Sequence, residues 1–150
     1  MKYQIEPIKK VKDEVQPLIE AHWDEIALNQ DKIKLNPDWE TYYKLESLNM
    51  VYAYTAREDD KLVGYFTVVA TKGLHYVDHV FAACDIIFIL PEYRKGRAGA
   101  NLIKYAEKDL KAKGVSVLAI TTKDHAPFDK LLQRLDYSLA ERLYSKYIGK

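Results

Sequence analysis

Seven residues directly in front of a helical pattern combine positive charge with glycine. They are Arg94, Lys95, Gly96, Arg97, Ala98, Gly99 and Ala100. The first N–H groups of a helix have no intrahelical partner, and glycine lets the backbone approach a ligand closely. Together with three cations, this arrangement predicts an anion-binding site, and phosphate or pyrophosphate is the expected ligand. The alternative is a surface loop whose cations are only solvated.

The residues around this loop form a longer pattern. An apolar strand at 86–90 leads into a Pro-x-Tyr-Arg turn that ends at Arg94, and Gly99 follows before the helix. This order resembles the acetyl-CoA signature of the GNAT superfamily of N-acetyltransferases, Arg/Gln-x-x-Gly-x-Gly/Ala. Arg97 stands at the middle glycine of that signature. Either the tight turn moves to Gly96, or Arg97 adopts the required backbone angles itself.

The resemblance implies acetyl-CoA as co-substrate and transfer of its acetyl group to a primary amine by direct attack in a ternary complex. It also implies that the strand before the loop splays from its neighbour, so that pantetheine lies in the gap. Backbone groups of that strand would polarise the thioester carbonyl, as an oxyanion hole does. The residues implied to contact the co-substrate are Phe88, Ile89, Leu90, the loop from Arg94 to Ala100, His125 and Phe128.

Asp85 is the candidate general base. It lies inside an otherwise apolar strand, residues 82–87, where a charge costs free energy unless it is paired or used. The GNAT resemblance implies an acidic residue on this strand that accepts the proton of the amine, directly or through water. The structural alternative is a carboxylate that caps a backbone group or pairs with a histidine.

Acceptor contacts are predicted for His22 and Glu25 on the first helix and for His75 and Tyr76 before the Asp85 strand. His22 lies on an apolar face, where a core or rim histidine is the plainer interpretation. The spacing of the histidines and the aspartate at 75–79 suits no common zinc pattern, so no metal is expected. Several of the twelve tyrosines are expected along an acceptor cleft or at the core edge: Tyr42, Tyr43, Tyr52, Tyr54, Tyr65 and Tyr76.

The usual proton donor to the leaving thiolate is missing. GNAT enzymes commonly carry Asn-x-x-Ala-x-x-Leu-Tyr-x-x-x-Gly-Phe near the C-terminus, and Leu132 stands at the tyrosine. Tyr144 is the first substitute, and Tyr147, His125 and water are the others. Because the CoA thiolate is a fair leaving group, we expect an active enzyme. A non-catalytic CoA-binding module that regulates or inhibits a partner is the alternative.

Composition excludes several classes of protein. The 150 residues are 48% hydrophobic and 30% charged, which is ordinary for one globular domain over residues 1–150. A formal net charge of +1 disfavours nucleic acid as a partner. It therefore also disfavours a third possible function, acetylation of an amino-bearing base in nucleic acid. The single cysteine, Cys84, excludes an internal disulfide and suits a reducing compartment. Without a signal peptide or a long apolar run, we expect a cytoplasmic protein with no membrane partner.

The acceptor itself cannot be read from the sequence. A small-molecule amine and a protein amine are both compatible with it, and so is a homodimer. The element at 74–76 and the divergent C-terminal helix resemble small phage and prophage members of the superfamily.

Hydrophobic periods and turn residues predict the elements that position these groups. The expected fold class is α/β, a mixed and mostly antiparallel sheet flanked by helices, as in GNAT proteins, with a splayed central strand pair. Helices are expected at 11–28 with a bend or restart at Pro17, at 36–49, at 101–113 with Gly114 as its C-terminal stop, and at 128–135. Strands are expected at 3–8, 52–57, 62–71, 81–90, 115–121 as an inner strand, and 137–148. The acidic turn at 58–61 is expected to join the second and third strands as a hairpin.

Overall fold

The computed structural model describes all residues from 1 to 150. Its elements in chain order are β1 (Lys2–Ile5), α1 (Ile8–Ile26), α2 (Trp39–Ser47), β2 (Val51–Glu58), β3 (Lys61–Lys72), β4 (Val80–Ile89), a 3-10 turn (Pro91–Tyr93), α3 (Ala98–Ala112), β5 (Val115–Ala119) and α4 (Asp129–Arg134). The strands form one sheet in the order β1-β2-β3-β4-β5, in which only the β4–β5 pair is parallel. This mixed, mostly antiparallel sheet with flanking helices confirms the predicted fold class.

Helix α3 covers one face of the sheet with a stripe of apolar residues. Leu102, Ile103, Ala106 and Leu110 recur at helical spacing and are all buried in the largest hydrophobic cluster. Gly114 follows the helix with φ of +84°, a conformation that glycine adopts without strain. The stripe and the glycine stop hold the N-terminus of α3 in a fixed place beside β4.

Helix α1 covers the opposite face. Val15 and Leu18 pack there against Leu62, Tyr65 and Phe88 of the sheet. The predicted bend or restart at Pro17 is not seen as a break, because one helix runs through it. Pro17 is on the exposed side of α1, where water can satisfy the carbonyl left without a donor.

The β2–β3 hairpin was predicted from the acidic turn and is confirmed. Asp59 and Asp60 both have positive φ, 47° and 64°. A two-residue hairpin turn of this kind requires positive φ at both central residues, and aspartate tolerates it better than most residues.

The C-terminal part departs from the sequence expectation. β5 is an edge strand rather than an inner one, and residues 138–150 form no strand. Leu139, Leu143 and Ile148 are largely exposed, so the apolar alternation of this segment is not used for burial. Alternation indicates compatibility with a strand, but a strand also needs a neighbour to pair with.

Candidate active site

β4 parts from β5 halfway along its length. The two strands pair from Val80 to Ala83, and the pairing ends at Ala119 of β5. On its other side β4 stays paired with β3 as far as Ile89. The second half of β4 therefore has one free edge, as the GNAT resemblance implied for the splayed pair.

The register shows which backbone groups face the free edge. The Leu90 N–H donates to the Val63 carbonyl at 2.9 Å. Because bonded and non-bonded residues alternate in an antiparallel pair, Phe88 also bonds to β3, whereas Ile87 and Ile89 face away from it. Of the three residues expected to contact pantetheine through the backbone, only Ile89 has its N–H on the free edge, and Ile87 joins it.

A cleft of about 660 Å³ opens along this edge. Its walls come from the end of α1, the second half of β4, the loop before α3, and the segment from β5 to α4. The lining includes His22, Glu25, Cys84, Asp85, Ile87, Ile89, Arg94, Gly96, Gly99, Ala100, Lys123, Phe128, Leu131, Arg134 and Leu143. No tyrosine lines the cleft.

The glycine loop resolves the choice left by the sequence. Gly96 has φ of +116°, whereas Arg97 has φ of −105° and stands at the N-cap of α3 without a side-chain cap. The tight turn has thus moved one residue, to Gly96. At Gly99 the constraint is space, since an added Cβ would lie 3.3 Å from Leu131 Cδ2. The first N–H groups of α3 are left for a ligand.

Arg94 is already engaged by the protein. Its Nη1 and Nη2 donate to the two carboxylate oxygens of Glu25, each at 2.7 Å, and its Nε donates to the Ile89 carbonyl at 2.7 Å. The guanidinium also lies 5.1 Å from the centre of the Phe88 ring. The hydrogen bond and charge of Arg94 lower the pKa of Glu25. Arg94 thereby ties α1 to the end of β4. The predicted residues Leu90, Lys95, Arg97 and Ala98 are not among the cleft walls, whereas the cations Lys123 and Arg134 are.

Asp85 occupies a β-bulge. Thr67 of β3 pairs with Ile86 and Val68 pairs with Cys84, so Asp85 is the extra residue of β4. The bulge changes which residues share a face. Cys84 packs in the cluster under α3, yet Ile86 packs in the cluster under α1. Neither face of the strand therefore buries the Asp85 side chain, which is exposed to the cleft.

The partner of Asp85 is a tyrosine rather than a histidine or a backbone group. Tyr42 of α2 donates its hydroxyl to Asp85 Oδ2 at 2.5 Å, and Oδ1 has no protein partner. Burial raises the pKa of Tyr42, and the bond to the Asp85 carboxylate and its charge raise it further. Tyr42 is thus a fixed donor, and Asp85 keeps one oxygen free to accept a proton.

His22 is buried on the α1 side of the cleft with a relative exposure of 8%. Its ring stacks on Phe88 with centroids 4.8 Å apart, and its Nδ1 lies 3.1 Å from the Tyr65 hydroxyl. Burial lowers the pKa of His22 to about 4, and the positive charge of Arg94 acts in the same direction against the opposing effect of Glu25. His22 is therefore a neutral wall of the cleft near pH 7.

Several predicted site residues lie away from the cleft walls. His75 and Tyr76 are in the exposed loop between β3 and β4, beside Phe81 at the far end of β4 from Ile89. His125 is at the exposed tip of the turn between Lys123 and Ala126. Phe128, by contrast, lines the cleft.

The expected and substitute proton donors are both absent from the walls. Leu132 is buried in the core under α3, with an exposure of 8%. The Tyr144 side chain is 87% exposed, although its neighbour Leu143 touches the cleft. Cys84 lines the cleft, and burial raises the pKa of its thiol to about 12. Apart from this thiol, the hydroxyls of Thr121 and Thr122 are the only O–H or S–H groups of the cleft walls, and a threonine hydroxyl is a very weak acid.

Sequence reasoning missed Tyr42 as the partner of Asp85, and it missed Lys123, Leu131 and Arg134 as cleft residues. Tyr42 was included among the tyrosines of an acceptor cleft, but no sequence signal joined it to Asp85. Arg134 is the last residue of α4, and its place on the cleft depends on how α4 packs against Gly99.

The structure has no group of three or more His, Cys, Asp and Glu side chains placed to hold a metal ion. None of its helices is both long enough and apolar enough to cross a membrane.

A free strand edge, a glycine loop at a helix N-terminus and a carboxylate lie together in one cleft, as the GNAT resemblance implied. The profile of the Acetyltransferase (GNAT) family matches residues 16–137. The chain belongs to this family and is an acetyltransferase. A comparison with curated protein sequences gives no significant match.

Solved structures of acetyltransferases share the fold. An aminoglycoside acetyltransferase from an uncultured soil metagenomic sample, in complex with sisomicin, has 17% identity and a TM-score of 0.74, covering 99% of this chain and 95% of its own. The ribosomal-protein-alanine N-acetyltransferase of Brucella melitensis biovar Abortus has 18% identity and a TM-score of 0.68, covering 100% and 99%. A predicted acetyltransferase of Clostridium acetobutylicum, solved with acetyl-CoA, has 9% identity and a TM-score of 0.72, covering 98% of this chain and 96% of its own.

Proposed function

We propose that the protein moves the acetyl group of acetyl-CoA to a primary amine by direct attack in a ternary complex. The observation that carries this proposal is the place of Asp85. Its carboxylate lies on the free edge of β4, in the same cleft as Gly96 and Gly99, and its Oδ1 has no protein partner. This placement supports Asp85 as the general base beside the edge that would bind the thioester.

The chemistry uses few groups. The amine nitrogen attacks the carbonyl carbon, a C–N bond forms, and the C–S bond breaks. The proton of the amine passes to Asp85, directly or through water. The N–H groups of Ile87 and Ile89 on the free edge polarise the carbonyl oxygen. CoA leaves as a thiolate and takes a proton from water, which is consistent with the absence of a tyrosine from the cleft walls.

The cations and helix α3 hold the other end of CoA. Lys95 and Arg97 add positive charge at the N-terminus of α3, where N–H groups of the first turn accept a pyrophosphate. Phe128 is an apolar wall for the rest of the molecule. Glu25 and Arg94 fix the width of the cleft between α1 and β4, and His22 lines the acceptor side.

The test is the Asp85→Asn variant, which keeps the size of the side chain and removes its basicity. We expect CoA binding to persist and turnover to fall by about 10²–10⁴-fold, the usual contribution of a general base. Asp13→Asn, an exposed change on α1, is the matched control. If the Asp85→Asn variant keeps full activity and an unchanged pH profile, Asp85 has only a structural role.

One observation supports a second candidate, a CoA-binding module without catalysis. Leu132 is packed into the core at the position where the family commonly has a tyrosine, and no tyrosine lines the cleft. Such a module would bind CoA but release no free thiol with any amine. An assay of CoA thiol release with different amines therefore separates the two candidates.

We also propose residues 1–150 as one acetyltransferase domain working in the cytoplasm, where acetyl-CoA and a reduced Cys84 are both expected. Its acceptor is a small-molecule or protein amine. The near-neutral charge of the chain gives no support for a nucleic-acid acceptor.

A further inference from the structure

A second cavity of about 290 Å³ lies between α1, residues 33–37, α2 and the sheet. It adjoins the cleft in two places. Ile86 lines both spaces, and Tyr42, which lines the second cavity, bonds to Asp85 in the cleft. Asp85 does not itself line the cavity, but its Oδ2 is 2.5 Å from the Tyr42 hydroxyl, so an amine at the border near Tyr42 and Ile86 lies close to the carboxylate.

Apolar side chains form most of the cavity wall. They include Val15, Ile19, Trp23, Ile33, Trp39 and Ile86. A wall of this kind rewards burial of an apolar body, at about 0.8 kcal/mol for each buried CH₂ group in general. Its volume is near the lower end of small-molecule sites, which span about 300–1,000 Å³.

Three hydroxyl groups of the wall are already paired with the protein, and the side chains of Thr67 and Asn36 are the polar groups left for a ligand besides the two indole N–H groups. The Thr55 hydroxyl donates to Glu6 at 2.5 Å, the Tyr42 hydroxyl donates to Asp85, and the Tyr65 hydroxyl is 3.1 Å from His22 Nδ1. A ligand rich in hydroxyl or amino groups would lose its hydration there and find few partners.

The charges near the cavity favour a single cation at one end. Asp85 is at the side where Tyr42 and Ile86 meet the cleft, and it attracts an ammonium group before the proton is lost. Lys34 lines the opposite, loop side and donates to the Gln30 carbonyl at 2.7 Å. A second ammonium on the ligand would face this lysine.

We propose that the cavity binds the body of the acceptor and that the acceptors are small monoamines with an aromatic or branched aliphatic body. The amine points to Asp85 and the body lies between α1 and α2. This inference rests on the proposed acetyl transfer, since it names the substrate class of that reaction.

The test measures CoA thiol release with phenethylamine, isoamylamine, ethylamine, glucosamine and spermidine. Because burial of a phenyl or isopropyl group is worth at least three CH₂ groups, kcat/KM for the first two should exceed that for ethylamine by at least about 50-fold. Glucosamine and spermidine should be no better than ethylamine. A kcat/KM for either of them equal to or above that of phenethylamine would overturn the inference and leave the acetyl transfer standing.

A pair of variants locates the effect. Ile33→Asp adds a charge to the cavity wall and should lower kcat/KM for phenethylamine by at least tenfold while CoA still raises the Tm. Leu28→Asp, at a similarly exposed apolar residue outside the cavity, is the control and should change neither value. Equal effects of the two variants would place the acceptor body elsewhere.

A binding measurement separates this inference from the proposed reaction. Calorimetric titration of the CoA-bound protein with phenethylamine should show binding that Ile33→Asp weakens. Binding without any acetylation would support the cavity and overturn the transfer reaction. Absence of binding would overturn the cavity assignment.

Discussion

Protonation of His22 should make the folded protein less stable in mild acid. The folded chain keeps this buried ring neutral down to a pKa of about 4, whereas the ordinary value in an unfolded chain is 6.5. The unfolded state therefore binds a proton first as the pH falls. The stability is fully present above the ordinary value and is lost progressively as the pH falls from there toward the folded pKa.

The size of the effect follows from the two pKa values. Their difference corresponds to about 3.4 kcal/mol when it is fully expressed. Between about pH 7.5 and about pH 5.5, the linkage relation gives a loss of about 1.3 kcal/mol. For a chain of this length, that loss lowers Tm by roughly 3–5 °C. Carboxylates contribute little to this window, because their unfolded forms take up protons mainly below it.

Urea unfolding at both pH values, in wild type and in His22→Gln, checks the reasoning. Glutamine does not titrate and can still bond to the Tyr65 hydroxyl, so the variant should lose most of the pH dependence. The comparison uses the change with pH rather than the absolute stability, since the stacking on Phe88 is also altered. A wild type of constant stability, or a variant with the same loss as wild type, would refute the assignment.

Three further outcomes follow from the cleft. Arg97→Glu should abolish the rise in Tm that CoA causes. In wild type, CoA at a hundredfold excess over Kd should stabilise the fold by about 2.7 kcal/mol. Lys108→Glu, on the outer face of α3, is the control and should keep the rise in Tm. Glu25→Gln should lower the free energy of unfolding by no more than about 1 kcal/mol, because the ion pair with Arg94 is partly exposed. The variant should bind CoA more tightly, since the Arg94 guanidinium is then free. Weaker CoA binding in calorimetry would contradict this. Tyr144→Phe should lower kcat by less than about tenfold, because Tyr144 is exposed, whereas loss of a general acid usually lowers kcat by about 10²–10⁴-fold. A thousandfold loss of kcat at unchanged CoA affinity would make Tyr144 the acid.

The elements that the sequence predicted well depend on neighbours along the chain. Gly114 ends α3, and the aspartates at 59 and 60 make the hairpin turn, because backbone conformation and short-range hydrogen bonds decide both. The tight turn at Gly96 and the start of α3 are also local features, since they are within a few residues of each other, and anion binding there stays a prediction. Local chemistry was sufficient there.

The parts that could not be predicted depend on partners far away in sequence. Asp85 is the bulge residue only because of how β4 pairs with β3, and its hydroxyl donor, Tyr42, is separated from it by 43 residues. Arg94 resembles a phosphate ligand in the sequence, yet Glu25, 69 residues away, already binds it. Strand register and helix packing determine these contacts, and neither can be recognised from residues that are close together in the sequence.

The bulge at Asp85 has a consequence for how such a protein can evolve. The residues on either side of it build the two packed faces of β4, while Asp85 itself belongs to neither. Exchanging this one side chain leaves both hydrophobic clusters intact, so natural variation or directed evolution can sample other reactive groups here at little risk to folding. The chemistry of the strand and its packing can therefore change independently of each other.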